Sequence, residues 1–336
     1  MPEAEIVPTE LVEEEPPDYA FRPARLAEFI GQARVKGQLD VAIRAARERA
    51  EALDHVLLVG PKGLGKTTLA QVIANEMGAG FRRSVGPVLE RLELSSLLSS
   101  VEPGDVLFID EIHRVNARCQ EILYPAMEDF ALDIVIGQGG PGARPVRIPL
   151  PRFTLVGATT REGLLTGPLR DRFGVHLRLD YYTDKELCDI LARDARLLGV
   201  TIQPQATQEI ARRARATPRV AKQYLRRIRD YAAVEGNGTV TYNIAHTTLD
   251  RLGVDELGLN DMDRRILAAI VDRGGYASLN TIASAVSEDE RTVEDAYESF
   301  LIQIGFLNRT TRGRSLTRRA YDHLGVRPQP GMEVLF

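Results

Sequence analysis

The stretch Gly60-Pro-Lys-Gly-Leu-Gly65-Lys66-Thr67-Thr68 limits what this chain can be more than any other part of it. The run His55-Val-Leu-Leu-Val59 precedes it as an apolar strand, and Leu69, Val72, Ile73 and Met77 follow at helical spacing, so the order is strand, turn, helix. In that setting the pattern G-x-x-x-x-G-K-[ST] is a phosphate-binding loop. Glycines let backbone N–H groups close round phosphate oxygens, and the helix N-terminus adds partial positive charge. Lys66 reaches the β/γ-phosphates, Thr67 ligates Mg²⁺, and Thr68 adds a second hydroxyl.

A phosphate loop of this kind requires an acid for its metal. The run Asp105-Val-Leu-Phe-Ile109 delivers Asp110-Glu111-Ile-His113 at its end. A buried strand that ends in carboxylates places them where ligands bind in an open α/β sheet. Asp110 then holds the metal through its water shell, and Glu111 orients and deprotonates the attacking water. The plainer alternative is that the two acids cap the next helix. His113 lies in the following turn and receives no chemical role. A third strand, Phe153–Ala158, brings Thr159-Thr160 to its end, where a hydroxyl can bond the water or the γ-phosphate.

Flanking segments are less specific. Phe21-Arg22 and the residues to Gln32 either line a nucleotide base or simply pack. Leu132, Ile134 and Ile136 alternate, a glycine-rich turn follows, and Val146, Ile148 and Leu150 alternate back, which predicts a β-hairpin. It either projects to bind another protein or packs on its own domain. Arg170 and Arg172 near Phe173-Gly174 form an ordinary surface or point at a neighbour's nucleotide. From Asp184 to Leu252 the pattern is helical, and Arg219 at the start of one helix opposes the local dipole, which calls for an anion nearby.

Length and charge set the organisation. With 336 residues, the chain has room for two or three domains. The net charge of −4 hides a marked asymmetry. Residues 1–20 carry acids without Lys or Arg and read as a disordered tail, whereas Arg309, Arg312, Arg314, Arg318, Arg319 and Arg327 crowd the other end. Past a linker at Gly253–Leu259, the pattern is short helix, turn, longer helix and basic hairpin. That is the winged-helix layout, with Arg309, Arg312 and Arg314 on the wing. Cys119 and Cys188 are too few for a disulfide framework, and neither a signal peptide nor a long apolar segment occurs. The expected compartment is the cytoplasm.

Phosphate loop, strand-end acids, strand-end threonine, paired arginines and lid arginine stand in the order found in AAA+ ATPases. With Leu107-Phe-Ile-Asp-Glu-Ile-His-Arg114, Leu123-Tyr-Pro-Ala-Met-Glu-Asp-Phe130, Gly157-Ala-Thr-Thr-Arg161, Leu169-Arg-Asp-Arg-Phe-Gly174, Thr217-Pro-Arg219 and Leu301-Ile-Gln-Ile-Gly-Phe-Leu307, the chain resembles the RuvB family of Holliday-junction branch-migration motors. The resemblance implies an α/β AAA+ core over 19–182 behind a tail at 1–18, a helical lid over 183–254, and a winged-helix domain over 255–336. It also implies a ring-forming, hexameric ATP hydrolase that moves duplex DNA.

By the same resemblance, Phe21, Arg22, Gly63, Lys66, Thr67, Thr68, Tyr182 and Arg219 hold ATP. Thr67 and Asp110 hold Mg²⁺, and Glu111 and Thr160 act on the water. Arg172 is the arginine finger for an adjoining subunit, and Glu128, Asp129 and Phe130 lie near the nucleotide at that interface. Arg291, Arg309 and Arg314 correspond to DNA contacts, the 132–150 hairpin to the element that engages RuvA, and the resolvase RuvC to a further candidate partner. Membranes are not implied.

Four departures stand out: Lys62 where the family has Pro, Ala216 where it has Gly, a hairpin tip one residue longer, and Arg291 displaced by one. Two other classes remain open. One is a nucleotide-switched DNA-binding regulator, which the acids Glu294, Asp295 and Glu298 on the reading helix oppose. The other is a clamp-loader-type or chaperone ATPase acting on protein.

Overall fold

A computed structural model describes residues 22–136, 144–311 and 313–327. Phe21, Arg312, the acidic tail and the hairpin tip thus lie outside the described residues. The chain divides into two compact units, Met1–Asp180 and Tyr181–Phe336.

In the first unit α1 (Ala33–Glu48) leads to β1 (Val56–Val59), α2 (Lys66–Met77), β2 (Phe81–Val85), α3 (Arg91–Ser99), β3 (Val106–Asp110) and α4 (Ala117–Glu128). β4 (Ala131–Ile136), β5 (Arg144–Pro149), β6 (Thr154–Thr159), α5 (Gly167–Arg170) and β7 (Val175–Arg178) complete it. The sheet has the order β2-β3-β6-β1-β7, with every neighbouring pair parallel. The inner strands β1, β3 and β6 are apolar and buried on both faces, as a helix-covered parallel sheet requires.

β2 has no counterpart among the strands expected from sequence. It reads Phe-Arg-Arg-Ser-Val and sits at the sheet edge, where side chains remain partly exposed and no unbroken apolar run is needed. His55, within the expected apolar run, is buried as a structural hydrogen-bonder. Its Nδ1 accepts from Leu155 N–H at 2.9 Å, and its Nε2 lies 3.0 Å from the Met127 carbonyl oxygen. Burial holds its pKa below the ordinary value.

The expected hairpin is present as the antiparallel pair β4 and β5. Its root packs inward, since Leu132 and Leu150 are buried in the core beside α4 and Ile134 and Ile148 lie against that core.

The second unit holds α6 (Asp184–Leu197), α7 (Pro204–Arg213), α8 (Pro218–Glu235) and α9 (Tyr242–Arg251), then α10 (Asp261–Val271), β8 (Tyr276–Ala277) and α11 (Leu279–Val286). The next helical run comprises α12 (Glu290–Thr292), a π-helical turn over Val293–Glu298, and α13 (Ser299–Gln303). β9 (Leu307–Thr310), β10 (Gly313–Leu316) and α14 (Arg318–Leu324) follow. The sheet β8-β10-β9 covers a core of Ile266, Ile270, Leu301, Phe306 and Leu316. This is the winged-helix layout.

Arg213 anchors the helical part of this unit. It is fully buried and donates to Asp250 at 2.6 Å and to the Val254 carbonyl at 2.8 Å, with Glu209 2.6 Å away. Arg215 ties that part to the winged helix. Its Nη2 reaches Asp263 at 2.5 Å, its Nε donates to the Gly258 carbonyl at 2.9 Å, and its guanidinium lies over the Phe300 ring. Gly258 is required there, because a Cβ would stand 2.6 Å from the Arg213 carbonyl oxygen and its φ is +88°.

Candidate active site

The parallel register brings the C-terminal ends of three inner strands together. Val59 pairs with Thr159, Ile109 with Gly157, and the phosphate loop leaves β1 at Gly60. Gly60 has φ +154° and lies so close to β7 that a Cβ would meet the Leu179 carbonyl oxygen at 2.8 Å. Gly63 and Gly65 adopt φ +82° and +96°, conformations that the loop's wrap demands and that glycine tolerates. Gly65 then serves as N-cap of α2 with no side-chain cap, so the orphan N–H groups of the first helical turn remain for an anion.

Lys66 is 7% exposed, and its Nζ donates to the carbonyl oxygens of Gly60 at 2.7 Å and Pro61 at 2.9 Å. Burial is the main force holding this ammonium below the ordinary lysine pKa. Asp110 and Glu111 oppose the shift, and Lys62 adds to it. The cation at Lys62 therefore acts electrostatically on the lysine of the phosphate-loop motif.

The acids stand where the sequence places them. Thr67 Oγ1 is 3.5 Å from Asp110 Oδ2, while Asp110 Oδ1 accepts from the Glu111 N–H at 2.9 Å. A hydroxyl and a carboxylate at a helix N-terminus are hard oxygen donors suited to Mg²⁺ that keeps waters and phosphate oxygens as its other ligands. Glu111 occupies the left-handed region at φ +48° and accepts from Thr160 Oγ1 at 3.3 Å.

Two further residues support Glu111. His113 places Nδ1 3.3 Å from the Glu111 carboxylate and 2.9 Å from Thr159 Oγ1. Gly86 lies behind it, where a Cβ would stand 2.5 Å from the Glu111 carbonyl oxygen. His113 is thus a structural hydrogen-bonder, and its tie to Glu111 shows only in three dimensions. Gly86 gives no sequence signal.

Arg172 shares the first unit with these groups but bonds elsewhere. It donates to Glu128 at 2.6 Å and to the Pro168 carbonyl at 2.7 Å, and its guanidinium lies 4.8 Å from the Tyr124 ring centroid. Its Nε is buried and has no hydrogen-bond partner among the described residues. Asp129 pairs with Arg147 at 2.5 Å, and Phe130 packs edge-on against Phe153. Arg22 is half-buried at the start of a segment pinned to α2 by Asn75 and Glu76. Further on, Gln32 clasps both backbone groups of Asp180. Thr68 is half-buried in the first turn of α2.

In the second unit Tyr182 is buried, and its N–H donates to the Ala216 carbonyl at 3.1 Å, which sets it beside the start of α8. Arg219 is exposed in the first turn of that helix. Arg291 is also exposed, with its amide bonded to Asp289. Arg309 and Arg314 face each other across the wing. Cys119 and Cys188 are free thiols. No described helix is long and apolar enough to cross a membrane.

Comparison with known proteins places the chain in a family. A family model described as the Holliday junction DNA helicase RuvB P-loop domain matches residues 21–179. Models described as the RuvB AAA lid domain and the RuvB C-terminal winged helix domain match 182–255 and 256–325. The Holliday junction branch migration complex subunit RuvB of Chloroflexus aggregans is 56% identical over 310 residues, which span 91% of this chain and 88% of that protein.

Among solved structures, the Thermotoga maritima RuvB Holliday junction branch migration motor superposes with a TM-score of 0.84 at 46% identity. The match covers 92% of this chain and 100% of that one. A point mutant of the same protein gives 0.85 over 92% and 99%. A P-loop domain, an AAA lid domain and a winged helix domain thus follow one another along the chain, and the chain belongs to the RuvB family of nucleotide-binding AAA+ P-loop proteins.

Proposed function

We propose that this chain is the ATP-driven motor of a Holliday-junction branch-migration complex. Its subunits assemble as a hexameric ring on duplex DNA and use ATP hydrolysis to pump that DNA during recombination and repair. The observation that carries this reading is the convergence of Lys66, Thr67, Asp110, Glu111 and Thr160 at three strand ends, in a chain that also folds a winged helix.

Lys66, the α2 N-terminus, Gly63 and Thr68 hold the phosphates; by likeness to the family, Phe21 and Arg22 in the large domain (19–182), with Tyr182, and Arg219 in the lid (183–254), are further nucleotide-binding residues. Thr67 and Asp110 hold Mg²⁺, which supplies charge neutralisation at the phosphates. Glu111 accepts the proton of the attacking water, with Thr160 fixing its carboxylate. One subunit does not complete the site. Arg172 comes from its neighbour, with Glu128–Phe130 at the same interface, and contributes about 10³–10⁵ in rate.

The winged helix (255–336) meets DNA through Arg309 and Arg314, with Arg291 as a further contact. The 132–150 hairpin engages RuvA, RuvC joins the same junction, and the work is cytoplasmic. A four-way-junction dissociation assay with ATP, with and without RuvA, tests the reading. ATP-dependent dissociation, strengthened by RuvA, is expected. A junction that stays intact under every condition, while ATP is still hydrolysed, would reject the motor.

A further inference from the structure

The wing carries an electrostatic problem of its own making. Arg309 on β9 and Arg314 on β10 are direct cross-strand partners, and like charges placed opposite one another destabilise an antiparallel pair. The solution comes from the π-helical turn over Val293–Glu298.

Glu298, 2% exposed, receives Arg309 Nε at 2.5 Å and Arg314 Nε at 3.2 Å on one carboxylate oxygen, and Arg314 Nη2 at 2.9 Å on the other. Glu294 lies one turn away, 3.3 Å from Arg309 Nη2 and 4.0 Å from Arg314 Nη2. Both guanidiniums therefore dock their Nε and Nη2 side on the helix. Among the described residues, Nη1 of each keeps no hydrogen-bond partner. The same docking uses two acids of the helix that a sequence-reading winged helix would send into the major groove.

We infer that Glu294 and Glu298 are built-in counter-charges of the DNA grip. They aim Nη1 of Arg309 and Arg314 at backbone phosphates, and they reduce the net charge that the wing brings to the duplex. This rests on the reading of the winged helix as the DNA-binding segment. The physical consequence is a hold that ignores sequence and releases readily. Backbone phosphates carry no base information, and the affinity of such contacts grows with the number of phosphates neutralised. A motor that advances along DNA gains from contacts that let go.

Salt-dependent binding of a labelled duplex of arbitrary sequence to the full chain tests this. Glu294→Gln leaves Glu298 in place and removes one partly exposed counter-charge. It is expected to tighten duplex binding by about two- to fivefold, the range of a partly exposed ion pair. The slope of log K against log salt should steepen by up to about one unit. Adding Arg309→Ala to Glu294→Gln should abolish the gain.

Glu298→Gln removes a buried partner of both arginines, so its melting temperature must be checked first, and Glu294→Gln decides the matter if it fails to fold. Unchanged affinity and slope in Glu294→Gln, or weaker binding, would overturn the inference while leaving the motor reading intact. Failure of the unmodified chain to bind duplex at any salt concentration would instead remove the DNA-binding reading, and this inference with it.

Discussion

A Cβ at Gly86 would come within 2.5 Å of the Glu111 carbonyl oxygen and 3.2 Å of a Val115 methyl, and neither backbone nor core can give way cheaply there. Gly86→Ala should therefore shift Glu111 rather than Lys66. If Glu111 activates the water as proposed, the expected result is a fall in kcat of about tenfold or more with little change in KM, since displacing such a group by about 1 Å costs up to about 10². Steady-state ATPase kinetics check this, and a rise in KM at constant kcat would contradict it. Ala216 poses the opposite question. It stands where the family resemblance leads one to expect Gly and adopts φ +51° next to Arg215 at +54°. A left-handed conformation costs an L-residue about 1–2 kcal/mol, whereas Gly loses about 0.4–1 kcal/mol more on folding. The steric cost wins, so Ala216→Gly should raise stability by roughly 0.5–1 kcal/mol, read as a higher Tm. The Tyr182 hydrogen bond to the residue 216 carbonyl survives the change.

The helical segment depends on one buried ion cluster. Truncating Arg213 removes the buried cation of Glu209 and leaves Arg212 and His246 as its partners, so the loss should stay at or below the low end of the about 3–5 kcal/mol that breaking a buried pair from one side costs. Arg213→Ala should lower the denaturation midpoint accordingly. Burial tends to raise the Glu209 pKa, but the hydrogen bond from His246 and the charges of Arg213 and Arg212 prevail and hold it below the ordinary 4.5. The stabilisation is therefore complete above about pH 4.5 and fades as pH falls through the lower folded-state value. Glu209→Gln should melt below the parent protein at neutral pH, with the gap closing under acid conditions. The same scale shows how much of the fold is legible in the sequence. β1, β3 and β6 announce themselves because a strand buried on both faces must be continuously apolar, and α2, α4 and α6 show their helical spacing. β2 escapes because an edge strand tolerates Arg82 and Arg83, and β8 because it is two residues long. The π-helical turn has no pattern distinct from a helix. Lys66, Thr67, Asp110, Glu111 and Thr160 are legible as a cluster because motif spacing places them at strand ends and a helix start that the parallel sheet brings together. The contacts of Gly86 with Glu111 and of His113 with Thr159 are not, because they join residues distant in the chain, and the short tie from His113 to Glu111 belongs to no motif spacing.

Across the whole molecule, the finger predicted at Arg172 is bonded to Glu128 and the Pro168 carbonyl within its own chain, so use by a neighbour requires it to exchange those partners. Subunits carrying Arg172→Ala and subunits carrying Glu111→Gln should each be nearly inactive, with the finger variant lowered by about 10³–10⁵ in turnover. Mixing the two should restore part of the ATPase activity, because a Glu111→Gln subunit can lend its arginine to a neighbour whose Glu111 is intact. Absence of any recovery on mixing, with rings still forming, would argue that each subunit completes its own site. The Arg215 contacts with Asp263, Gly258 and Phe300 bear on how hydrolysis becomes movement. Arg215 stands next to Ala216 and just ahead of the turn that opens α8 with Arg219, while its side chain grips the winged helix. The segment proposed to sense the nucleotide and the segment proposed to hold DNA are thus tied by an ion pair, a backbone hydrogen bond and a cation–π contact. In the proposed motor, a swing at the nucleotide end would be carried through these contacts to the DNA end.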